Sequence, residues 1–212
     1  MVRRTKEEAL ATRSQIIDAA EKCFHNKGLS RTSLADIASA AGVTRGAIYW
    51  HFQDKSELLE ALLERATMPL QPLEEASLNR NEVDPLARMR DLIIEIFRGV
   101  ATDSDIRRIN EILLHKCEYT DEMCDLRKRM VLFRRSCDDN IAAGLTNAIS
   151  RQQLPADLDV PLAARCVHSF IVGTIDQWLM CPGHVDLAAQ AGSLADAVLD
   201  MVRLSTALRR SQ

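Results

Sequence analysis

Apolar residues recur every three or four positions along almost the whole chain, the spacing of one face of an α-helix, and no stretch sustains the two-residue alternation of a strand. The pattern predicts an all-α protein of nine helices. Ile16, Ala20 and Phe24 stripe a first helix, about residues 7–27, opened by a Thr5/Glu8 capping box and stopped by Gly28. Ser33 with Asp36 opens a short second helix through Leu34, Ile37 and Ala38 to about 41, where Gly42 ends it. Thr44 caps a third that lasts only to about 50, and Asp54 with Glu57 opens a fourth, about 54–77.

The segment MPLQPLEEASLNRNEVDP, residues 68–85, carries three prolines and marks a break between an N-terminal unit and a larger one. Beyond it Leu86, Met89, Leu92, Ile93, Ile96 and Val100 stripe a fifth helix, and Ile106, Ile109 and Leu113 a short sixth. A long seventh steps through Leu126, Met130, Phe133, Cys137, Ile141, Leu145 and Ala148. After RQQLPADLD come an eighth (about 159–181) and a ninth (about 185–204). The expected division is an N-terminal domain at 1–53, joined through the fourth helix to a larger domain at 78–212.

Two short helices joined by AAGVT form a helix-turn-helix pattern, residues 33–52, whose second helix enters a DNA major groove. A helix of about seven residues does not hold alone in water, because nucleation costs more than so few hydrogen bonds return. Val43, Ile48 and Phe52 are the residues that can pack it, and Ile48 and Phe52 share one face. Thr44, Arg45, Tyr49, Trp50 and His51 then lie on other faces, where large rings are wasteful in water and useful on a duplex. Tyr, Trp and His donate to phosphate oxygens, Arg45 reaches guanine edges, and Thr44 reaches phosphate or a thymine methyl. Trp50 has a core position as its alternative, since aromatic rings at helical spacing ordinarily pack. Gly46 removes a side chain where the helix approaches DNA or the second helix closely. Ser33 joins the set. Lys55, at the start of the fourth helix, adds its charge to that helix's positive end against a phosphate.

Charge agrees with a local DNA-reading surface and not with a basic coat. The 212 residues carry a formal charge of −3, yet residues 1–60 hold nine Lys and Arg against eight Asp and Glu. Arg3, Arg4 and Lys6 precede the first acid and form a basic arm. No apolar run approaches the roughly 20 residues that span a bilayer, and MVRRTKEEAL turns acidic where a signal peptide becomes apolar, so a cytoplasmic protein without membrane contact is expected. The six cysteines lack CxxC spacing and read as thiols.

The residues RTSLADIASAAGVTRGAIYWHFQDKSELLEALL, 31–63, with the Phe52-x-x-Lys55-x-x-Leu58 tail, resemble the TetR family of bacterial transcriptional repressors. RRTKEEA at the N-terminus, RRINEIL at 107–113, EILLHKCE at 111–118, LPADLD at 154–159 and MVRLSTALRR at 201–210 are similar to the AcrR- and TtgR-like subgroup, which represses multidrug efflux-pump operons. The resemblance implies a nine-helix, Ω-shaped homodimer in which the eighth and ninth helices of each subunit form a four-helix bundle. It also implies a ligand cavity among the fourth to eighth helices, whose filling separates the two reading heads and releases the operator. The eighth predicted helix is apolar on two sides, with Val160, Ala164, Val167, Ile171, Ile175 and Trp178 on one and Leu162, Cys166 and Phe170 on the other, as a helix serving both a core and a partner is.

For the effector cavity, polar atoms set among apolar stripes single out Asn110, Cys137, His168 and Asp176. Met89, Leu92, Ile93, Ile96, Leu113, Phe133, Ile141, Ile171 and Ile175 supply an apolar wall. Such a lining suits bulky, hydrophobic, drug-like compounds and favours breadth over selectivity. Asn110 matches the efflux-repressor pattern, whereas CVHSFIVGTIDQW, 166–178, departs from it. No cofactor or metal is expected, because the spacing of His115, Cys117 and Cys124 fits no tetrahedral zinc pattern. Without a phosphate loop, nucleophile elbow or paired-carboxylate site the chain does not read as an enzyme. The remaining alternative keeps the DNA head and changes the signal, to a metabolite or to oxidation of Cys117, Cys124 or Cys137.

Overall fold

A computed structural model describes residues 6–117 and 124–210, with side chains at all of these except 124–126. Arg3, Arg4 and the Thr5 cap lie outside the described residues, as do the side chains of Cys124 and Leu126. Ten α-helices are described: α1 (Lys6–Lys27), α2 (Leu34–Ala40), α3 (Arg45–His51), α4 (Lys55–Thr67), α5 (Gln71–Leu78), α6 (Pro85–Thr102), α7 (Ser104–His115), α8 (Cys124–Ser150), α9 (Val160–Met180) and α10 (Leu187–Leu204). The predicted fourth helix is two helices, α4 and α5, separated by a 3-10 turn at Met68–Leu70. Pro69 has no amide for a helix interior and its ring crowds the preceding turn, so the helix stops at Thr67. Pro72 then sits in the first turn of α5, where its missing amide costs nothing. With α4 and α5 taken together, the nine-element order read from the sequence stands.

The chain forms two compact units. The first comprises Met1–Thr67 and Arg108–Arg129. Ile16, Ala20 and Phe24 of α1, Ile37 of α2, Ile48 of α3 and Leu58 and Leu62 of α4 are all fully buried in it. Its turns follow the predicted chemistry. Gly28 adopts φ +80° and Gly42 φ +64°, left-handed conformations that side chains with a Cβ resist. Ser33 and Asp36 form the full capping box, and Gln15 Nε2 donates to the Ala41 carbonyl at 2.7 Å, fastening α1 to the end of α2.

The second unit comprises Met68–Arg107 and Met130–Gln212. Here α6 lies against α5, α9 and α10, and Arg90 of α6 holds Asp196 of α10 through two hydrogen bonds of 2.6 and 3.0 Å. Asp84, Asp159 and Asp186 cap α6, α9 and α10 in turn, each accepting the amide of the third residue on. A Cβ on Gly144 of α8 would stand 3.0 Å from Met89 Sδ of α6, so glycine permits that close approach. Arg107 donates to the Val100 carbonyl at 3.2 Å and also to that of Ala101, completing the end of α6, and its guanidinium lies 5.1 Å from the Trp178 ring centre. Among the described residues there is no strand, only an isolated bridge between Leu158 and Arg209.

Candidate DNA-reading face and effector-binding residues

The seven residues of α3 divide into two faces. Ile48 is fully buried, and Phe52, just past the helix end, is 2% exposed beneath the Arg13 guanidinium at 5.2 Å. Val43 is half-buried. Thr44 caps the helix, its hydroxyl accepting the Ala47 amide at 3.2 Å. On the other side Tyr49 is 48% exposed with Arg45 5.8 Å above its ring, and Trp50 is 73% exposed. That settles the alternative left for Trp50: it is not a core residue. Its ring stands edge-on to His51, centroids 4.5 Å apart, and the His51 ring lies 6.4 Å from that of Phe52. A half-buried His51 thus bridges the exposed and buried aromatics, a position the sequence reading had put wholly on the DNA side.

Gly46 has an open surround. A Cβ there would meet only the Thr44 hydroxyl, at 4.0 Å, so closeness to α2 is not its reason. A groove of about 440 Å³ brings Ser33, Tyr49 and Lys55 together. Lys6 lies exposed in the first turn of α1.

Lys55 departs most from expectation. Its ammonium donates to the carbonyls of Leu29 at 2.7 Å and Ser30 at 3.3 Å, and burial holds its pKa below the ordinary lysine value. The start of α4 is also less cationic than a bare helix end, because Asp54 accepts the amides of Ser56 at 2.7 Å and Glu57 at 2.9 Å. Two of the three ammonium donors are thereby spent on the protein's own turn. The sequence could not show this, since the carbonyls lie 25 and 26 residues away.

The expected effector residues fall on both units: Asn110 and Leu113 belong to the first and the other eleven to the second. In the second unit Met89, Ile93, Ile171 and Ile175 are buried. Leu92, Ile96, Phe133, Cys137, Ile141, His168 and Asp176 are half-buried, as are Asn110 and Leu113 in the first. His168 Nδ1 lies 2.6 Å from Asp138 Oδ1; a carboxylate accepts, so Nδ1 carries the proton. Beside it the Cys137 thiol is pushed up to about 11, first by burial and then by Glu74 and Asp138. Glu74 also accepts from Asn140 Nδ2 at 2.6 Å. Glu74, Asp138 and Asn140 were missed from sequence. The spacing of Cys137 and Asn140, three apart within a striped helix, was the one available signal.

Residues 16–62 match the bacterial regulatory proteins of the tetR family, and residues 84–204 match the C-terminal region of MAATS-type transcriptional repressors. The chain belongs to the TetR family. TetR-family proteins are DNA-binding transcriptional regulators and not enzymes, and so is this one. It is 50% identical over 210 residues to the HTH-type transcriptional regulator TtgR of Pseudomonas putida, covering 99% of this chain and 100% of TtgR. Among solved structures it is similar to NalD, the secondary repressor of the MexAB-OprM multidrug efflux pump in Pseudomonas aeruginosa. That match has a TM-score of 0.81 and 34% identity over 94% of this chain and 100% of NalD. A complex of SmeT with triclosan matches with a TM-score of 0.80 and 32% identity, over 95% of this chain and 99% of SmeT. SmeT is the repressor of the Stenotrophomonas maltophilia efflux pump SmeDEF. No helix among the described residues is long and apolar enough to cross a membrane.

Proposed function

We propose that this TetR-family protein is a cytoplasmic repressor of a multidrug efflux operon, which binds a palindromic operator as a dimer and leaves it when a hydrophobic, drug-like compound fills the C-terminal domain. The likeness to NalD and SmeT over nearly the whole chain, ligand-binding half included, carries the reading. Arg45 reads base edges in the major groove, with Thr44 and Gly46 beside it; Tyr49, Trp50, His51, Lys6, Ser33 and Lys55 meet phosphates. In the second unit His168 and Asp176 give the effector its polar contacts within an apolar wall. The second stripe of α9 supports the dimer: Leu162 is 37% exposed, Cys166 and Phe170 are half-buried, and a Cβ on Gly173 would meet nothing within 4 Å. A recess of about 290 Å³ lined by Phe170, Leu187 and Leu194 offers a second copy further apolar surface.

The test is fluorescence anisotropy on the DNA flanking the protein's own gene, titrated with triclosan and a panel of other hydrophobic drugs. Binding in the nanomolar range and release by at least one compound are expected. Absence of binding to that DNA refutes the local-repressor reading. At Cys117 and Cys137 the chemistry disfavours the thiol-redox alternative, while the Cys124 side chain lies outside those described. Burial pushes both the Cys117 and the Cys137 thiols up to about 11, away from the thiolate that oxidants attack.

A further inference from the structure

The turn between α9 and α10, in the second unit, carries side chains that the proposed function uses for neither operator nor effector. Met180, the last residue of α9, is 72% exposed, and Cys181 and His184 beyond it are exposed as well. Methionine and free cysteine are among the side chains most often buried. A neighbouring pair of them in solvent, with an imidazole three residues on, is not explained by packing. The backbone holds the group in place. The His184 amide donates to the Cys181 carbonyl at 3.1 Å, closing a four-residue turn with Pro182 and Gly183 at its centre. Trp178 Nε1 donates to the Val185 carbonyl at 3.0 Å, which ties the far side of the turn back to α9. The two ends of such a turn lie within about 7 Å of each other at Cα, so one ion is within reach of both thiol and imidazole. Cys181, His184 and Trp178 line one recess, of about 290 Å³. A Cβ on Gly183 would meet nothing within 4 Å, so the outer side of the turn is open to an incoming ion.

Softness and ligand number decide which ion. Thiolate, thioether and imidazole suit soft, polarisable cations, whereas magnesium and calcium take oxygen ligands. Zinc closes a structural site with four ligands, and among the described residues no three His, Cys, Asp and Glu side chains gather to hold a metal. Copper(I), a monovalent d10 ion, fills its coordination with two or three soft ligands, the number this turn supplies. The carbonyl end of α9, a helix of 21 residues, also directs its negative partial charge at the turn. We propose that Met180, Cys181 and His184 form a copper(I) site, with the Cys181 thiolate and the His184 imidazole as the principal ligands and the Met180 thioether as the third. On binding, the ion takes the place of the thiol proton, which passes to solvent, and neither metal nor sulfur changes oxidation state. The apolar lining offered to a second copy is Phe170, Leu187 and Leu194, so dimer and metal draw on different side chains.

The experiment titrates the reduced full-length protein, under nitrogen, with copper(I) supplied as its bicinchoninate complex, whose colour fades as the protein takes the ion. Cys181→Ser and His184→Gln are each expected to lower affinity at the tight site at least about tenfold, and Met180→Leu about threefold. All three side chains are exposed, so thermal unfolding should be unchanged in the variants. The chain has six cysteines, so the place of binding is read separately. Trp50 and Trp178 are its two tryptophans; in a Trp50→Phe background copper(I) should quench the emission of Trp178, and should fail to do so once Cys181→Ser is added. Alkylation followed by mass spectrometry should show copper(I) protecting Cys181 in wild type and not in His184→Gln. Failure of wild type to take copper(I) from bicinchoninate overturns the site. So does uptake that is unchanged in either Cys181→Ser or His184→Gln, since a thiol acting alone is not this site. Displacement of the bound copper(I) by an equal concentration of zinc overturns the choice of a soft monovalent ion.

Discussion

Truncating Ile48 and truncating Trp50 separate the two faces of the recognition helix. Ile48 is fully buried, and replacing it with alanine removes three carbons from a packed site, at a cost of about 2–5 kcal/mol. Nothing local compensates. With seven residues α3 is too short to be stable alone, and Gly46 within it costs about a further 1 kcal/mol relative to alanine. Against a total of about 5–15 kcal/mol for a domain, Ile48→Ala removes a large share. Trp50 is 73% exposed, and its edge-on contact with His51 contributes only about 0.5–1 kcal/mol at such a surface. Yet an indole N–H donating to a phosphate is a hydrogen bond to a charged group, so its loss weakens operator binding by about 1.5–3 kcal/mol, roughly tenfold to a hundredfold. Urea unfolding followed by circular dichroism, paired with operator anisotropy, reads both quantities. Ile48→Ala lowers the unfolding midpoint at unchanged slope; Trp50→Ala keeps the midpoint and loses DNA. The division of faces fails if Trp50→Ala destabilises by more than about 2 kcal/mol, or if Ile48→Ala does not destabilise at all.

Lys55→Ala is expected to lower stability by about 1–3 kcal/mol through the lost bonds to Leu29 and Ser30, and to lower the salt slope of operator binding by about one unit. A stability loss with an unchanged slope assigns Lys55 to the turn alone. Cys117 and Cys137, at about 11, hold roughly a hundredth of the thiolate of a thiol at 9, so at neutral pH alkylation followed by mass spectrometry should mark exposed Cys181 well before either. Modification of Cys137 first would reopen the redox reading. Asp36 titrates at about 2 because the Ser33 hydroxyl and amide donate to it and Lys27 stands near. That folded value lies below the unfolded 3.8, so its contribution to stability is complete above 3.8 and is lost as pH falls towards 2. Ser33→Ala should bring the carboxyl midpoint seen by NMR back up towards 3.8, and an unmoved midpoint would remove Ser33 as the cause.

What the sequence made legible was local. Ser33, Thr44 and Asp54 cap helices, Gly28 and Gly42 turn left-handed, and Ile48 and Phe52 pack, because each depends on residues within about four positions. The fourth helix was misjudged for a related reason: the amphipathic stripe runs on past Thr67, and only the ring of Pro69 opposes it. Partners across long intervals were not legible. Glu21 and Arg108, 87 residues apart, look like ordinary polar residues until two helices are set side by side, and His168, singled out for the effector, shows no sign of its partner Asp138, 30 residues away.

Lys55 shows what that blindness does to a functional reading. A lysine at the start of a helix, beside a helix-turn-helix, has two uses that local sequence does not separate: neutralising a phosphate, or tying a turn through its carbonyls. The carbonyls of Leu29 and Ser30 take two of its donors, and it lines a groove with Ser33 and Tyr49, so on the proposed function its charge serves a phosphate as well. On the proposed function the two uses combine: a lysine that holds the turn would also set the height at which its charge meets a phosphate. The Leu29 amide donates to the Lys116 carbonyl just past α7, which ties that turn to the end of α7. If Lys55 meets a phosphate, effector should shift the salt dependence of operator binding along with its strength, and a release that weakens binding equally at every salt concentration would take Lys55 out of the contacts that are lost.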